Sequence, residues 1–149
     1  MSQLTKWTTI SQEGIDLIKR FEGFSSEVYY CAGNFPTVAF GHKLLPGEKF
    51  TSVTREQGEQ ILKKDLNETI KQLNYLITTE LTLNQFSALA SFIFNLGYRA
   101  FNTSTLKAVV NAGEHLDVPA ELIKWRLAAG QPLKGLLLRR LAEASLYLS

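Results

Sequence analysis

From Leu83 to Leu96 the chain carries apolar side chains in almost every direction a helix can point: Leu83, Phe86, Leu89, Ala90, Phe92, Ile93 and Phe94. Thr82 opens this stretch with Gln85 in the capping-box position, and Asn95-Leu96-Gly97 closes it. A helix that is apolar all round cannot lie on a surface; it belongs at the centre of a globular lobe, with other elements wrapped around it. The sequence supplies those elements. Thr54 caps a long helix over residues 55–78, in which Leu62, Leu66, Ile70, Leu73 and Ile77 recur at steps of four, four, three and four. At about 1.5 Å per residue this helix is roughly 36 Å long, enough to bridge two lobes. Shorter helices are predicted from Asn102-Thr103-Ser104 to Gly113, from Pro119 through Leu127, and over residues 136–148, with a loop at Gly130-Gln131-Pro132.

Strand signals are confined to the N-terminal third. Residues 28–31 read as a strand, Ala32-Gly33-Asn34 as a turn, and residues 37–40 as the returning strand. Pro36 marks an edge or an irregular hairpin, and a third short strand is placed at residues 49–51. The fold class is therefore α+β, mostly α, with a small antiparallel sheet. The 149 residues form one domain, with a small lobe over 11–54, a connecting helix over 55–78 and a helical lobe over 79–149. The cleft between two such lobes is a common place for a ligand.

One carboxylate stands out against this frame. Ser11 is a good N-cap, Glu13 sits in the first turn, and Gly23 suits the end of a helix whose apolar face is Ile15, Leu17, Ile18 and Phe21. Ile15, Ile18 and Glu22 step by three and then four, so Glu22 lies on or beside the apolar stripe. Partial burial penalises its charge, and so does the negative end of the helix dipole. A carboxylic acid that keeps its proton is what a general acid must be. Pairing of Glu22 with an arginine is the competing reading, and the two are compatible.

Composition narrows the partners. A hydrophobic content of 45% and a charged content of 20% are ordinary for a soluble globular protein. A net charge of +2 is too weak a bias to argue for nucleic acid, though it suits an anionic polymer. The single cysteine, Cys31, excludes an internal disulfide framework, and two histidines far apart with one cysteine make no metal-ligand set. No cofactor is called for. Residues 1–10 lack the apolar run of a signal peptide and no later run is long enough for membrane insertion, so the chain is expected to stay in the cytoplasm that makes it. Nothing suggests an obligate interface, and a monomer is expected.

Glu22, Cys31, Thr37 and the Gly41-His42 pair follow one another with eight, five and three residues between them. This order resembles the catalytic segment of phage-type lysozymes, or endolysins, of glycoside hydrolase family 24. The resemblance continues through Leu83-Asn84-Gln85-Phe86-Ser87-Ala88-Leu89, Phe94-Asn95-Leu96-Gly97 and Phe101-Asn102-Thr103-Ser104-Thr105-Leu106. It runs on through Trp125, Ala129-Gly130 and Gly135-Leu136-Leu137-Leu138-Arg139-Arg140 to Glu143, nearly the whole chain. The chain departs from the family where Pro36 precedes Thr37, and where Val38-Ala39-Phe40 replaces the more usual Ile-Gly-Tyr.

The resemblance implies a lysozyme-like two-lobed fold. It also implies hydrolysis of the β-1,4 bond between N-acetylmuramic acid and N-acetylglucosamine in bacterial peptidoglycan, with Glu22 protonating the leaving oxygen. Thr37 would orient the attacking water and Cys31 assist. A free thiol titrates near ~8.5, and a nearby Glu22 carboxylate would push Cys31 up. One of Arg139 and Arg140 would hold the Glu22 carboxylate. His42 would support the site by pairing with an acid, such as one on the long helix, rather than serve Cys31 in a Cys-His hydrolase. Asn102, Ser104 and Thr105 would line the cleft. Trp125, Phe101 and Phe92 are aromatic candidates for sugar stacking that core packing explains better, and His115 reads as a surface residue. The protein would act on the wall in the periplasm, reaching it through a holin pore that it need not bind. A lytic transglycosylase and a non-catalytic wall-binding module are the rival functions.

Overall fold

The computed structural model describes residues 4–128 and 130–149. Residues 1–3, part of the segment read as leaderless, and Ala129 of the Ala129-Gly130 pair lie outside the described residues. α3 (Leu83–Leu96) takes the central place: Phe86, Leu89, Phe92 and Ile93 are buried, and Thr82 and Gln85 close the capping box in both directions. α2 (Arg55–Leu76) opens with a second capping box, Thr54 with Gln57. It ends at Leu76 because Ile77 is extended, at φ −88° and ψ 129°, which leaves it about 33 Å long.

The remaining helices wrap α3. They are α1 (Gln12–Glu22), α4 (Tyr98–Asn102), α5 (Thr105–Asn111), a 3-10 turn at His115–Asp117, α6 (Val118–Ile123) and α7 (Lys134–Leu148). α7 packs along α3 and α6, and α1 crosses α3. The α1–α3 crossing is set by Gly14, where a Cβ would stand 2.7 Å from the Ser87 Cβ and 2.8 Å from the Ile10 Cγ2. Beside it the Ser11 N–H donates to the Ser87 hydroxyl at 2.8 Å, inside the core. α1 is thereby fixed in depth and orientation, and Glu22 is its last residue.

The sheet is antiparallel with β1 (Ser25–Tyr30), β2 (Pro36–Ala39) and β3 (His42–Lys43) in that order. The strand expected at residues 49–51 does not form. β3 is instead His42–Lys43, because Gly41 at φ 72° turns the chain straight back onto β2. Pro36 is accommodated as the first residue of the central strand, and the irregularity falls on β1, whose register slips between Ser25 and Tyr29. β4 (Leu127–Ala128) and β5 (Gln131–Pro132) make a further hairpin where only a loop was expected.

Two hydrophobic clusters result, one around α3 and one of Val38, Ala39 and Val53 under the sheet. His42 ties the sheet to α2. Its Nδ1 lies 2.8 Å from Asp65 Oδ2 on α2 and its Nε2 lies 2.8 Å from Glu48 Oε1. Both ring nitrogens are occupied, which leaves none to activate Cys31. Burial by itself would lower the His42 pKa, but the hydrogen bonds to Glu48 and Asp65 outweigh it and raise the value. The two acids respond differently. The Leu45 amide and His42 hold Glu48 below the ordinary carboxylate range, while burial pushes the more enclosed Asp65 up.

Candidate active site

Glu22 closes α1, where Gly23 at φ 69° returns its N–H to the Lys19 carbonyl. Its side chain is only 19% exposed, and Arg139 Nη1 donates to its Oε2 at 2.7 Å. Arg139 is itself fixed in the interior. Its Nη2 donates to the Ser91 carbonyl at 3.2 Å, its Nε to the Ser91 hydroxyl at 3.3 Å, and the Nε lies 3.5 Å from Glu143 Oε2. Ser91 in turn donates to Glu143 at 2.6 Å. Arg140 faces Glu143, not Glu22; its Nε stands 2.7 Å from Glu143 Oε1 and its Nη2 reaches Asn95 Oδ1 at 2.8 Å. The Nε–Oε1 approach lacks hydrogen-bond alignment, so this buried pair is held by charge and by the Arg140 Nη2 bond to Glu143 Oε2 at 3.0 Å. Burial pushes Glu143 up and Arg140 down, and each opposes the other's shift by its charge.

The other Glu22 oxygen lies against backbone. A Cβ built on Gly41 would stand 2.8 Å from Glu22 Cδ and closer still to Oε1. Glycine at this position, already required by φ 72°, therefore lets the turn after β2 come up against the acid. Arg139 holds one oxygen and Gly41 confines the other.

Cross-strand pairing sets which side chains accompany Thr37. Thr37 on β2 is paired with Tyr29 on β1 and with Lys43 on β3, so these three side chains share one face of the sheet. Val38 and His42 point the other way, toward α2. Cys31 follows Tyr29 by two residues and lies half-buried where the turn begins. Its N–H donates to the Phe35 carbonyl at 3.0 Å and its carbonyl accepts from Asn34 at 2.7 Å. Thr37 is 2% exposed and its hydroxyl donates to the Phe35 carbonyl at 2.8 Å. That commits the one hydroxyl proton and leaves the oxygen lone pairs to accept.

The expected upward shift of Cys31 is overturned. The Phe35 backbone amide lowers its pKa most, the Thr37 hydroxyl next, and the Gly33 amide and Lys43 add to this against a smaller effect of burial. Because the Thr37 proton is given to Phe35, the amides and Lys43 are the surer cause. The N–H groups of a short turn favour the charged sulfur. Tyr29, absent from the sequence reading, shares the sheet face of Thr37. Burial raises its pKa most, followed by the charges of Glu22 and Cys31. Its spacing of two from Cys31 on a strand was the available signal.

The other expected residues make local contacts. Asn102 Oδ1 accepts from Lys107 Nζ at 3.0 Å. The Ser104 hydroxyl caps α5 through Lys107 N–H and donates to the Phe101 carbonyl. Thr105 is exposed on the first turn of α5. None of the three hydrogen-bonds to Glu22, Cys31 or Thr37 among the described residues. Phe92 and Phe101 are fully buried, and Trp125 meets the Phe92 ring edge-on at 5.4 Å, so packing accounts for these aromatics. His115 is not a free surface residue: it is half-buried, with Nδ1 2.7 Å from the Tyr147 hydroxyl. A hollow between α1 and α2, lined by Ile10, Gln12, Ile15, Lys63 and Asn67, contains none of the site residues. Among the described residues no three potential ligands gather as a metal site, and no helix is long and apolar enough to cross a membrane.

The family model described as phage lysozyme matches residues 19–143, a span that runs from the last turn of α1 to Glu143. The endolysin of Acyrthosiphon pisum secondary endosymbiont phage 1 is 39% identical over 144 residues, covering 93% of this chain and 97% of that protein. The endolysin of Bacillus phage B103 is 34% identical over 94% of this chain, which spans 54% of that longer protein. Among solved structures, the muramidase domain of SpmX from Asticaccaulis excentricus superposes with a TM-score of 0.87 at 33% identity, over 96% of this chain and 99% of that one. A lysozyme fold, an acid clamped at a helix end and a family match through both arms of that clamp agree: the chain belongs to the phage lysozyme family and is a peptidoglycan hydrolase, a glycosidase of the muramidase kind.

Proposed function

We propose that the protein cleaves the β-1,4 bond between N-acetylmuramic acid and N-acetylglucosamine, with Glu22 as its general acid. The observation that carries this is the clamp on Glu22, with Arg139 on Oε2 and the Gly41 turn against Oε1. Since Oε2 accepts from the guanidinium, Oε1 is the oxygen that carries the proton to the leaving group. Thr37 holds the attacking water. Its hydroxyl proton goes to Phe35, so the water donates to Thr37 and keeps its own lone pair for the sugar carbon. Cys31, held toward its thiolate by the turn amides, accepts the water's second proton. One proton leaves Glu22 for the departing sugar oxygen and one passes from the water to sulfur.

The test is digestion of Gram-negative peptidoglycan by wild type and Glu22→Gln, with fragments weighed by mass spectrometry. Reducing-end N-acetylmuramic acid from wild type, and a loss of about 10²–10⁴-fold in the variant, is the expected result. Anhydro products would reassign the chain as a lytic transglycosylase. Equal activity of both proteins would remove Glu22 from the mechanism. We further infer a monomer acting on the wall in the periplasm after passage through a holin pore. Co-expression with and without a pore-forming protein tests this, with lysis expected only when the pore is present.

A further inference from the structure

Lys43 is a cation on the site face of the sheet. It pairs in register with Thr37, so its side chain leaves the sheet on the same side as Thr37 and Tyr29, away from α2. Adjacent strands lie about 4.8 Å apart, which sets the Lys43 stem one strand from the residue assigned to the attacking water. It is exposed, and it makes no ion pair among the described residues, unlike Lys19 with Glu59 or Arg139 with Glu22. Its ammonium stands 5.1 Å from the centre of the Phe35 ring, itself 54% exposed, which steadies the stem without neutralising the charge. Its field reaches the Cys31 sulfur.

The neutral glycan backbone gives an ammonium nothing to pair with. In peptidoglycan the anionic groups are the carboxylates of the stem peptide, and that peptide leaves the muramic acid through the lactyl group of the sugar beside the scissile bond. We propose that Lys43 is a specificity-determining residue that binds a stem-peptide carboxylate as the wall lies across the site. This rests on the muramidase reading above. Phe35 and Tyr29, exposed on either side of Thr37, provide the apolar surface along which the sugar is laid. Lys43 adds the charge that separates a strand with charged stem peptides from one whose peptide carboxylates are masked.

The experiment compares two substrates: Gram-negative peptidoglycan with its stem-peptide carboxylates free, and the same material with those carboxylates converted to methylamides by carbodiimide and excess methylamine. The quantity measured is the ratio of kcat/KM on the two, for wild type, Lys43→Met and Lys43→Arg. Lys43→Met is expected to lower the ratio by about five- to tenfold, the scale of one exposed charge-assisted contact, through KM on the substrate with free carboxylates. Lys43→Arg is expected to retain it. Raising the salt should erode the wild-type ratio and leave that of Lys43→Met flat. An unchanged ratio in Lys43→Met, or an equal loss on both substrates, overturns the assignment. Wild type that cleaves neither substrate overturns the muramidase reading instead, and the absence of any reducing ends distinguishes that failure.

Discussion

Replacing Gly41 with alanine separates the position of the acid from the stability of the fold. The new Cβ would meet Glu22 Cδ at 2.8 Å and Cγ at 3.1 Å, against an ordinary contact of 3.4 Å or more. The atoms it strikes belong to the free end of a side chain, so the strain is relieved by moving the carboxylate, not the backbone. That displacement is on the order of 1 Å, and it drags the acid away from its bond to Arg139. A misplacement of about 1 Å at a reacting group costs roughly 10²-fold in rate. The backbone penalty is separate. An alanine at φ 72° costs about 1–2 kcal/mol, or about 2–8 °C in Tm for a chain of this size. Gly47→Ala is the control, because it carries the same kind of penalty at φ 85° with nothing within 4 Å of the added methyl. Both variants should melt a few degrees low by circular dichroism. In a peptidoglycan turbidity assay run well below either Tm, only Gly41→Ala should lose about two orders of magnitude. A Gly41→Ala protein within about threefold of the Gly47→Ala rate would refute the claim that the Gly41 turn confines the acid.

Three further expectations follow from the same geometry. Arg139→Met removes one partner from a buried ion-pair cluster and should cost about 3–5 kcal/mol in urea unfolding; a loss below about 1 kcal/mol would show that the cluster does not hold α7. The Cys31 thiol pKa is lowered, so its iodoacetamide alkylation rate should reach half its plateau at a lower pH than that of a short unstructured cysteine peptide, and Cys31→Ser should lose activity; a midpoint at or above that of the peptide would discount the turn amides. His42 keeps its proton above the unfolded value of 6.5, so its ion pairs stabilise the small lobe fully below pH 6.5 and fade as the pH rises through the folded value. Glu48, depressed below 4.5, gives up its share only in stronger acid, while Asp65, raised above 3.8, opposes it there. The Tm deficit of His42→Gln should therefore be larger near pH ~5.5 than near ~8.5, and equal deficits would dismiss the linkage.

What the sequence made legible was local. A capped amphipathic helix ending in Glu22 and a hairpin carrying Cys31 and Thr37 are each specified by residues a few positions apart. Neither β3 nor the β4–β5 hairpin could be seen, because two-residue strands are too short to show alternation. α4, at five residues, has too few turns for a period. The buried polar cluster was hidden for a different reason. Reading α3 as apolar on nearly every side passed over Ser87, Ser91 and Asn95, which recur at steps of four and form one face of that helix. Arg139, Arg140 and Glu143 on α7 are the complement of Ser91 and Asn95, while Ser87 takes the Ser11 N–H. The pairing was recoverable as two polar stripes in two otherwise apolar helices, but which arginine reaches Glu22 depends on how α7 is rotated against α3. The direction of the Cys31 shift depended on main-chain N–H groups, which carry no letter in a sequence.

The bond between Glu22 and Arg139 joins residues 117 positions apart. During synthesis the acid is made early and its clamp late, so an emerging chain can form the α1 end and the hairpin well before anything holds the carboxylate. Arg139 is oriented only when α7 lies against Ser91 of α3, a contact between residues 48 positions apart. The clamp on Glu22 is thereby complete only once α7 has been made and has docked on α3. A chain cut short before residue 139 would keep the acid and lack the guanidinium that holds it.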